Sequence, residues 1–277
     1  MDDKPAPLKI YWHEHTMREL EEIIPKLETV IIPTGSTEIH GPHLGVGNDI
    51  LTASRVCEDV ARAMYPRTLV VRALWVGYAP HNMCEQFKGT ITLSAETYLQ
   101  VLYEIAESIH KHGVKRIVLV NGHGGNVEPN LVACRKIREE IFTRYGVDLE
   151  VGCLSYWDTI PTEVWKSVLQ VGELTIGHGG EAETSILMAV APQAVRTDYF
   201  RIPDERPHGF PRAMKVQRAW YQDEYNPDGH TDDARAASRE KGEKLLEAAV
   251  NGTIQAIEEF IKYKPTQKHR YPRPTAG

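Results

Sequence analysis

The 277-residue sequence lacks several patterns that assign proteins to familiar classes. It contains only four cysteines and no CxxC pair, so we expect buried free thiols and no disulfide framework. No stretch approaches the ~18 consecutive apolar residues of a membrane helix, and the start, MDDKPAPLK, lacks the apolar region of a signal peptide. The net charge of -6 is opposite to the basic excess of many nucleic-acid-binding proteins. These absences predict a cytoplasmic protein without membrane or nucleic-acid partners.

Two common motif classes are also missing from the glycine-rich segments. Gly35-Ser36 does not form part of a GxSxG elbow, which argues against a serine hydrolase. Gly124 and Gly125 stand before a predicted helix, where free backbone N–H groups can bind an anion. This turn has neither the lysine of a P-loop nor the spacing of GxGxxG. A metal-free protein that binds a nucleotide or a sugar phosphate is therefore kept as an alternative with weak motif support.

The chain alternates short apolar runs with stretches of helical periodicity. The predicted strands cover 30–32, 68–74, 116–120 and 148–154, and the predicted helices cover 16–25, 51–64, 94–112, a stretch from 129, one ending at 191, and 234–263 as one helix or a pair. This alternation predicts an α/β protein with a parallel or mostly parallel sheet and helices on both faces. We expect residues 1–277 to form a single domain whose last residues, 264–277, are an extended tail.

Three segments combine glycine with imidazole and carboxylate side chains, and two of them directly follow predicted strands. They read PTGSTEIHGPHLGVGND at 33–49, NGHGGN at 121–126 and HGGEAETS at 178–185, with candidate donors at Glu38, His40, Asp49, His123, His178, Glu181 and Glu183. Ligands gather outside the carboxyl ends of parallel strands, and so many donors at one edge are costly to bury without a cation. These side chains suit zinc or manganese. Their number indicates two metals, and Asp49 can bridge them because a carboxylate has two oxygens.

Two features allow more than one interpretation from the residues alone. His43 is either a further metal ligand or a residue that positions one. Residues 201–233 are irregular and too long for a simple connection, so they form a functional loop, an interface arm or a solvated surface excursion. Tyr221, Tyr225 and His230 are the side chains in this segment that we expect to reach a substrate.

Taken in order along the chain, the three glycine-rich motifs resemble those of the creatininase (creatinine amidohydrolase) family. The segments GTITL at 89–93 and AASREKG at 236–242 also fit the family pattern, so the resemblance extends over most of the chain. It implies a three-layer αβα sandwich with a mostly parallel central sheet, a dinuclear metal site and a homohexamer. It further implies two Zn2+ ions per subunit, with Mn2+ possible at one site.

The resemblance also assigns roles to individual residues. The matching positions make Glu38, His40, Asp49 and His123 metal ligands, with Asp49 bridging the two ions, and make His178 the catalytic residue that protonates the leaving group. Creatininase has Tyr-Glu after its Asn-Gly-His, where this chain has two glycines, so that a glutamate ligand is missing. Glu183 is the predicted fifth ligand in its place.

A second departure from the family pattern concerns the substrate. Before its His-Gly-Gly, creatininase carries a Trp-Asp pair that contacts the substrate, and the matching residues here are Leu174 and Thr175. The side chains predicted to contact the substrate are Trp157, Thr175, Tyr78 and His81. We therefore expect a hydrolase whose metal-bound hydroxide attacks the carbonyl of a small cyclic or linear amide other than creatinine. The alternative within the family is opening of the ring of a keto-inositol, of the 3-dehydro-scyllo-inosose type, by C–C bond cleavage.

Overall fold

A computed structural model of the chain describes residues 8–171, 176–203, 215–216 and 218–264. Within these residues four strands form one parallel sheet in the order β2-β1-β3-β4, with β1 at Thr29–Thr34, β2 at Thr68–Val70, β3 at Arg116–Asn121 and β4 at Glu150–Ser155. The helices are α1 (Met17–Ile23), α2 (Asn48–Met64), α3 (Ala95–Lys111), α4 (Val127–Tyr145), α5 (Thr162–Val168), α6 (Glu181–Val190), α7 (Gln222–Tyr225) and α8 (Arg239–Lys262). Leu174, Thr175 and all but the first residue of the predicted tail lie outside the described residues.

The sheet is covered by helices on both faces, and its strands are correspondingly apolar. Every residue of β1 is buried, and its side chains alternate between two cores. Val30 and Ile32 pack with residues of α3 and α4, whereas Ile31 packs on the opposite face with residues of α2, α6 and α8. A strand buried on both faces is typical of parallel sheets. The predicted three-layer αβα arrangement is confirmed.

Local capping residues fix where several helices begin. The hydroxyl of Thr16 accepts the backbone N–H of Glu19, whose carboxylate in turn accepts the backbone N–H of Thr16. Ser94 caps α3 through the N–H of Thr97, and Ser238 caps α8. The stretch 234–263, predicted as one helix or a pair, is a short 3-10 turn followed by the single helix α8.

Strand β2 is shorter than the sequence predicts, and the cause lies on its neighbour. The backbone N–H of Val71 donates to the carbonyl of Ile31, and the next bond to β1 is from Leu74 to Pro33, at 3.0 Å. Pro33 has no N–H to offer the ladder between these two bonds. The continuous ladder therefore ends after Val70, and Leu74 forms only an isolated bridge with Thr34.

The strand order places a crevice between the ends of β1 and β3. After β1 the chain forms β2 on one side of β1, and it then forms β3 on the other side of β1. The loops that follow β1 and β3 therefore diverge at the carboxyl edge of the sheet, which is where open α/β sheets bind ligands. Thr34 and Asn121 are the paired residues at this point.

The four cysteines form no disulfide bond in the structure. All four cysteines are free thiols, and Cys57 and Cys134 are buried. Among the described residues, no helix has both the length and the apolar character needed to cross a membrane.

Candidate metal centre and active site

Loops at the carboxyl edge of the sheet bring the five predicted metal ligands together. Glu38 and His40 follow β1, Asp49 lies in the first turn of α2, His123 follows β3, and Glu183 lies in the first turn of α6. All five are buried, with at most 6% of any residue exposed. Five buried imidazole and carboxylate groups in one place need compensating charge.

The donor atoms form two sets that share Asp49. One oxygen, Oδ2 of Asp49, lies 3.2 Å from Nδ1 of His123, which lies 3.0 Å from Oε2 of Glu38. The other oxygen, Oδ1, lies 2.9 Å from Nε2 of His40, which lies 3.5 Å from Oε2 of Glu183. We call the first set, Glu38–Asp49–His123, site A and the second, His40–Asp49–Glu183, site B. Asp49 thus lies between the two sets, where a bridging ligand would lie.

Hydrogen bonds to backbone carbonyls orient both imidazoles. Nε2 of His123 lies 3.1 Å from the carbonyl oxygen of Tyr78, and Nδ1 of His40 lies 3.2 Å from the carbonyl oxygen of Glu38. A carbonyl oxygen only accepts, so each ring donates from this nitrogen. The other nitrogen of each ring then faces the shared carboxylate of Asp49. Imidazoles that bind metals are commonly held in this way.

The charges and orphaned atoms of the centre fit divalent cations. Oδ2 of Asp49 and Nδ1 of His123 are buried and have no hydrogen bond among the described residues. Although burial lowers the pKa of His123, the carboxylates of Glu38 and Asp49 outweigh this effect and raise it to about 10. Burial also opposes charge on His40, yet Asp49 and Glu183 raise its pKa well above the usual value. The carboxylates thus attract positive charge strongly, and bound cations would supply it without these protons.

The ring of His178 lies beside both sites, and hydrogen bonds to its backbone fix its position. Its ring stacks on that of His40, with centroids 4.3 Å apart, and its Nδ1 lies 3.7 Å from Oε1 of Glu38. Burial and then the nearby charge of His40 lower the pKa of His178 to about 3, which keeps its ring neutral. Thr231 binds the backbone of His178 twice: its hydroxyl accepts the N–H, and its own N–H donates to the carbonyl.

Two other candidates from the same motifs face away from the donors. Glu181 accepts the backbone N–H groups of Gln170 and Val171 and pairs with Lys241. His43 lies behind the loop that carries His178, with its Nε2 2.9 Å from the carbonyl oxygen of Gly179. Of the two interpretations of His43, the geometry therefore favours that of a positioning residue.

A cavity of about 1150 Å³ opens above the donor atoms. Tyr78, His81 and Trp157 line it, as predicted for substrate contacts, whereas Thr175 lies outside the described residues. The irregular segment contributes Trp220 and Tyr221 to the same wall. His230 does not line the cavity: it is fully buried, with Nε2 3.3 Å from the carbonyl oxygen of Arg201. The side chain of Tyr225 lies outside the described residues.

The family model for creatininase, described as creatinine amidohydrolase, matches residues 13–257. The chain belongs to the creatininase family. A creatinine amidohydrolase from Pseudomonas putida is 33% identical over 271 residues, covering 93% of this chain and 98% of that protein. A 3-dehydro-scyllo-inosose hydrolase from Thermotoga maritima is 25% identical over 282 residues, covering 95% and 87%. The predicted family is thus confirmed, and the protein is a creatininase-family hydrolase.

Solved creatininase structures share the fold of this chain, and some of them are metal-bound forms. A manganese form of creatininase and a zinc–zinc form of a mutant creatininase each match with a TM-score of 0.80 and 30% identity, covering 92% of this chain and 100% of theirs. Members of the creatininase family thus hold zinc or manganese on the fold that this chain adopts. Three groups of donors that converge closely enough for a metal ion occur among the described residues.

Sequence reasoning missed two asparagines that support this creatininase-type centre. The amide of Asn82 donates to Oε2 of Glu38 at 2.8 Å. Asn126 accepts the N–H of Tyr78 and donates to the carbonyl of Gly35, which fixes the Tyr78 carbonyl that binds His123. Asn126 belongs to the second glycine-rich motif, so its place in that motif was a usable signal. No comparable signal marks Asn82.

Proposed function

We propose that this chain is a dinuclear hydrolase that binds two Zn2+ ions per subunit, with Mn2+ possible at one site. The observation that carries the proposal is the position of Asp49, whose two oxygens face two separate sets of buried donors. Site A would be held by Glu38, Asp49 and His123, and site B by His40, Asp49 and Glu183. Carboxylate and imidazole donors in these numbers suit zinc and manganese.

The proposed reaction is hydrolysis of a small cyclic or linear amide. Bound divalent ions supply Lewis acidity and lower the pKa of water to about 7. A new C–O bond forms at the amide carbonyl, the C–N bond breaks, and the departing nitrogen takes a proton. His178 lies over His40 at the cavity floor, where a neutral imidazole can accept a proton from water and pass it to that nitrogen.

We propose that the substrate is a neutral, hydroxyl-rich or keto-bearing molecule and not creatinine. Leu174 and Thr175 replace the Trp-Asp pair with which creatininase contacts creatinine. The wall of the cavity includes Glu128 and Glu224, and the guanidinium of Arg218 is already paired with Glu224 at 3.0 Å, which disfavours an anionic substrate.

The second candidate is ring opening of a keto-inositol by C–C cleavage. It is favoured by the match over 95% of this chain to a 3-dehydro-scyllo-inosose hydrolase. In that reaction water oxygen adds to the ketone carbon, the adjacent C–C bond breaks, and the released carbon takes a proton. The same position of His178 serves this proton transfer, so the two candidates differ in substrate and share the centre.

An assay of both substrate classes on one preparation separates the candidates. Full-length protein is stripped with a chelator, reloaded with zinc, and incubated with cyclic and linear amides and with a keto-inositol, with products identified by mass spectrometry. We expect zinc-dependent amide hydrolysis, whereas turnover of the keto-inositol alone selects the second candidate. Equal turnover by the stripped and reloaded protein contradicts both.

We also propose a cytoplasmic homohexamer, as the family resemblance implies. Analytical ultracentrifugation of the zinc-loaded protein should give six times the chain mass of 31.3 kDa. A monomer under these conditions would contradict the proposal.

A further inference from the structure

His81 lies beside site A, although sequence reasoning placed it among the substrate contacts. It belongs to a 3-10 turn, Pro80–Asn82, and one of its ring nitrogens lies within 4.8 Å of donor atoms of Glu38 and His123. The rings of His81 and His123 are parallel, with an interplanar angle of 2° and centroids 5.8 Å apart. On its other side His81 contacts the ring of Trp220, at 5.1 Å. The imidazole is thus confined between site A and the cavity wall.

The amide of Asn82 identifies which nitrogen of His81 carries the lone pair. Its Nδ2 lies 2.8 Å from Oε2 of Glu38 and 3.3 Å from Nε2 of His81. An amide NH2 only donates, so both of these atoms act as acceptors directed at nearly the same point. A carboxylate oxygen and an imidazole nitrogen that converge in this way can also share a cation. Oδ1 of Asn82 is buried without a hydrogen bond among the described residues. The amide can therefore rotate away from a cation at this point without breaking a bond to that oxygen.

Gly125 leaves the space that His81 occupies. A Cβ at this position would lie 2.4 Å from Nε2 of His123, 2.7 Å from the carbonyl oxygen of Tyr78 and 2.8 Å from Cε1 of His81. Residue 125 is also where creatininase carries the glutamate that this chain lacks. A side chain at 125 would therefore meet His81 as well as His123 and Tyr78 in the observed arrangement, and this chain has glycine there.

We propose that Nε2 of His81 is an additional ligand of the metal in site A. This inference rests on the proposed dinuclear function and makes the two sites unequal. Site A then has four protein ligands, Glu38, Asp49, His81 and His123, which is the number that closes a tetrahedral zinc site. Site B keeps three and therefore an open position, and it is the site over which His178 is stacked. Four protein ligands would hold the ion of site A tightly, and three would leave room for a substrate at site B.

Zinc titration of matched histidine variants tests this assignment. Chelator-stripped wild-type protein, His81→Ala and His178→Ala are titrated with Zn2+ in competition with a chromophoric chelator. We expect His81→Ala to weaken one of two binding events by more than about 100-fold, beyond the usual 10–100-fold effect of residues that only position a ligand. His178→Ala removes an imidazole from the same cavity and should leave both binding events unchanged.

A second variant and a measured distance from His81 to zinc distinguish the loss of a ligand from a general loss of structure. His81→Gln keeps a polar side chain at the turn and should lose the same binding event while its circular dichroism stays that of the wild type. A crystal structure of the zinc-loaded wild type should place Nε2 of His81 about 2.0–2.1 Å from zinc. Two zinc ions bound with unchanged affinity in both His81 variants would overturn the inference and leave the proposed function standing. No zinc bound by the wild type would overturn the proposed function itself.

Discussion

At the scale of single residues, the centre depends on which nitrogen of each imidazole keeps its proton. Asn126 is fully buried and accepts the backbone N–H of Tyr78, whose carbonyl accepts the Nε2–H of His123. Asn126→Ala removes the bond that positions Tyr78, so we predict a loss of zinc affinity of about 10–100-fold, the usual effect of removing such support. Competition titration measures it. Asn130→Ala is the control, because Asn130 is a buried asparagine that binds Thr34 and Tyr98 instead. An equal loss of zinc affinity in both variants would argue against a specific role of Asn126.

Replacing His178 should lower activity without changing metal binding. We predict that His178→Ala lowers turnover by about 10²–10⁴-fold, the range for a positioned acid or base, because no other imidazole stacks on His40 among the described residues. Metal content, measured by elemental analysis, should stay at the wild-type value. A variant that loses its metal would instead make His178 a ligand.

The sequence predicts the donors of this centre better than it predicts their support. Glu38, His40 and His123 stand in glycine-rich motifs after apolar runs, and this local pattern is sufficient to propose them as donors. The carbonyl of Tyr78 bears no sequence signature, because every residue has a carbonyl, and it lies 45 positions from His123 along the chain. Asn82 lies 44 positions from Glu38 along the chain. Only the folded loops bring such pairs together.

At the scale of elements, two glutamates in the first turn of α6 have different partners. Glu181 binds the backbone of Gln170 and Val171 and pairs with Lys241, whereas Glu183 faces His40. We predict that Glu181→Ala lowers the free energy of unfolding by about 1–3 kcal/mol, because Lys241 and the N–H groups of Gln170 and Val171 lose a buried carboxylate as their hydrogen-bond acceptor. The folded fraction should still bind two metal ions. The matched variant Glu183→Ala should lose the metal of site B. Urea unfolding measures the stability of both variants, and elemental analysis measures their metal content. Loss of metal from Glu181→Ala would contradict this prediction.

Element boundaries follow the sequence where the cause is local. Thr16 and Ser94 cap their helices with neighbours three residues away, and both helices begin where the sequence predicts. Strand β2 ends early because Pro33, on the adjacent strand, lacks an N–H. Such an effect cannot be predicted until the pairing of the strands is known.

At the scale of the whole molecule, the cavity is built from segments that are far apart in sequence, which bears on substrate choice. Trp157 follows β4, Tyr78 follows β2, and Trp220 comes from the irregular segment. We predict that the zinc-loaded enzyme turns over creatinine with kcat/KM below about 10⁴ M⁻¹s⁻¹, the low end for a native substrate. The reason is that Leu174 and Thr175 offer neither a stacking ring nor a carboxylate for its polar groups. Steady-state assays decide this, and a higher value would show that another residue replaces the missing pair.

The fold places both donor sets at the crevice between β1 and β3, with Asp49 common to both. Elemental analysis of wild-type protein and Asp49→Ala, both purified without added metal or chelator, tests this dinuclear centre most directly. We predict up to two divalent ions per wild-type chain, and loss from both sites in the variant because each site loses a ligand. Full activity of wild-type protein that holds no metal after chelation would contradict the dinuclear centre, and so would an Asp49→Ala protein that retains both ions.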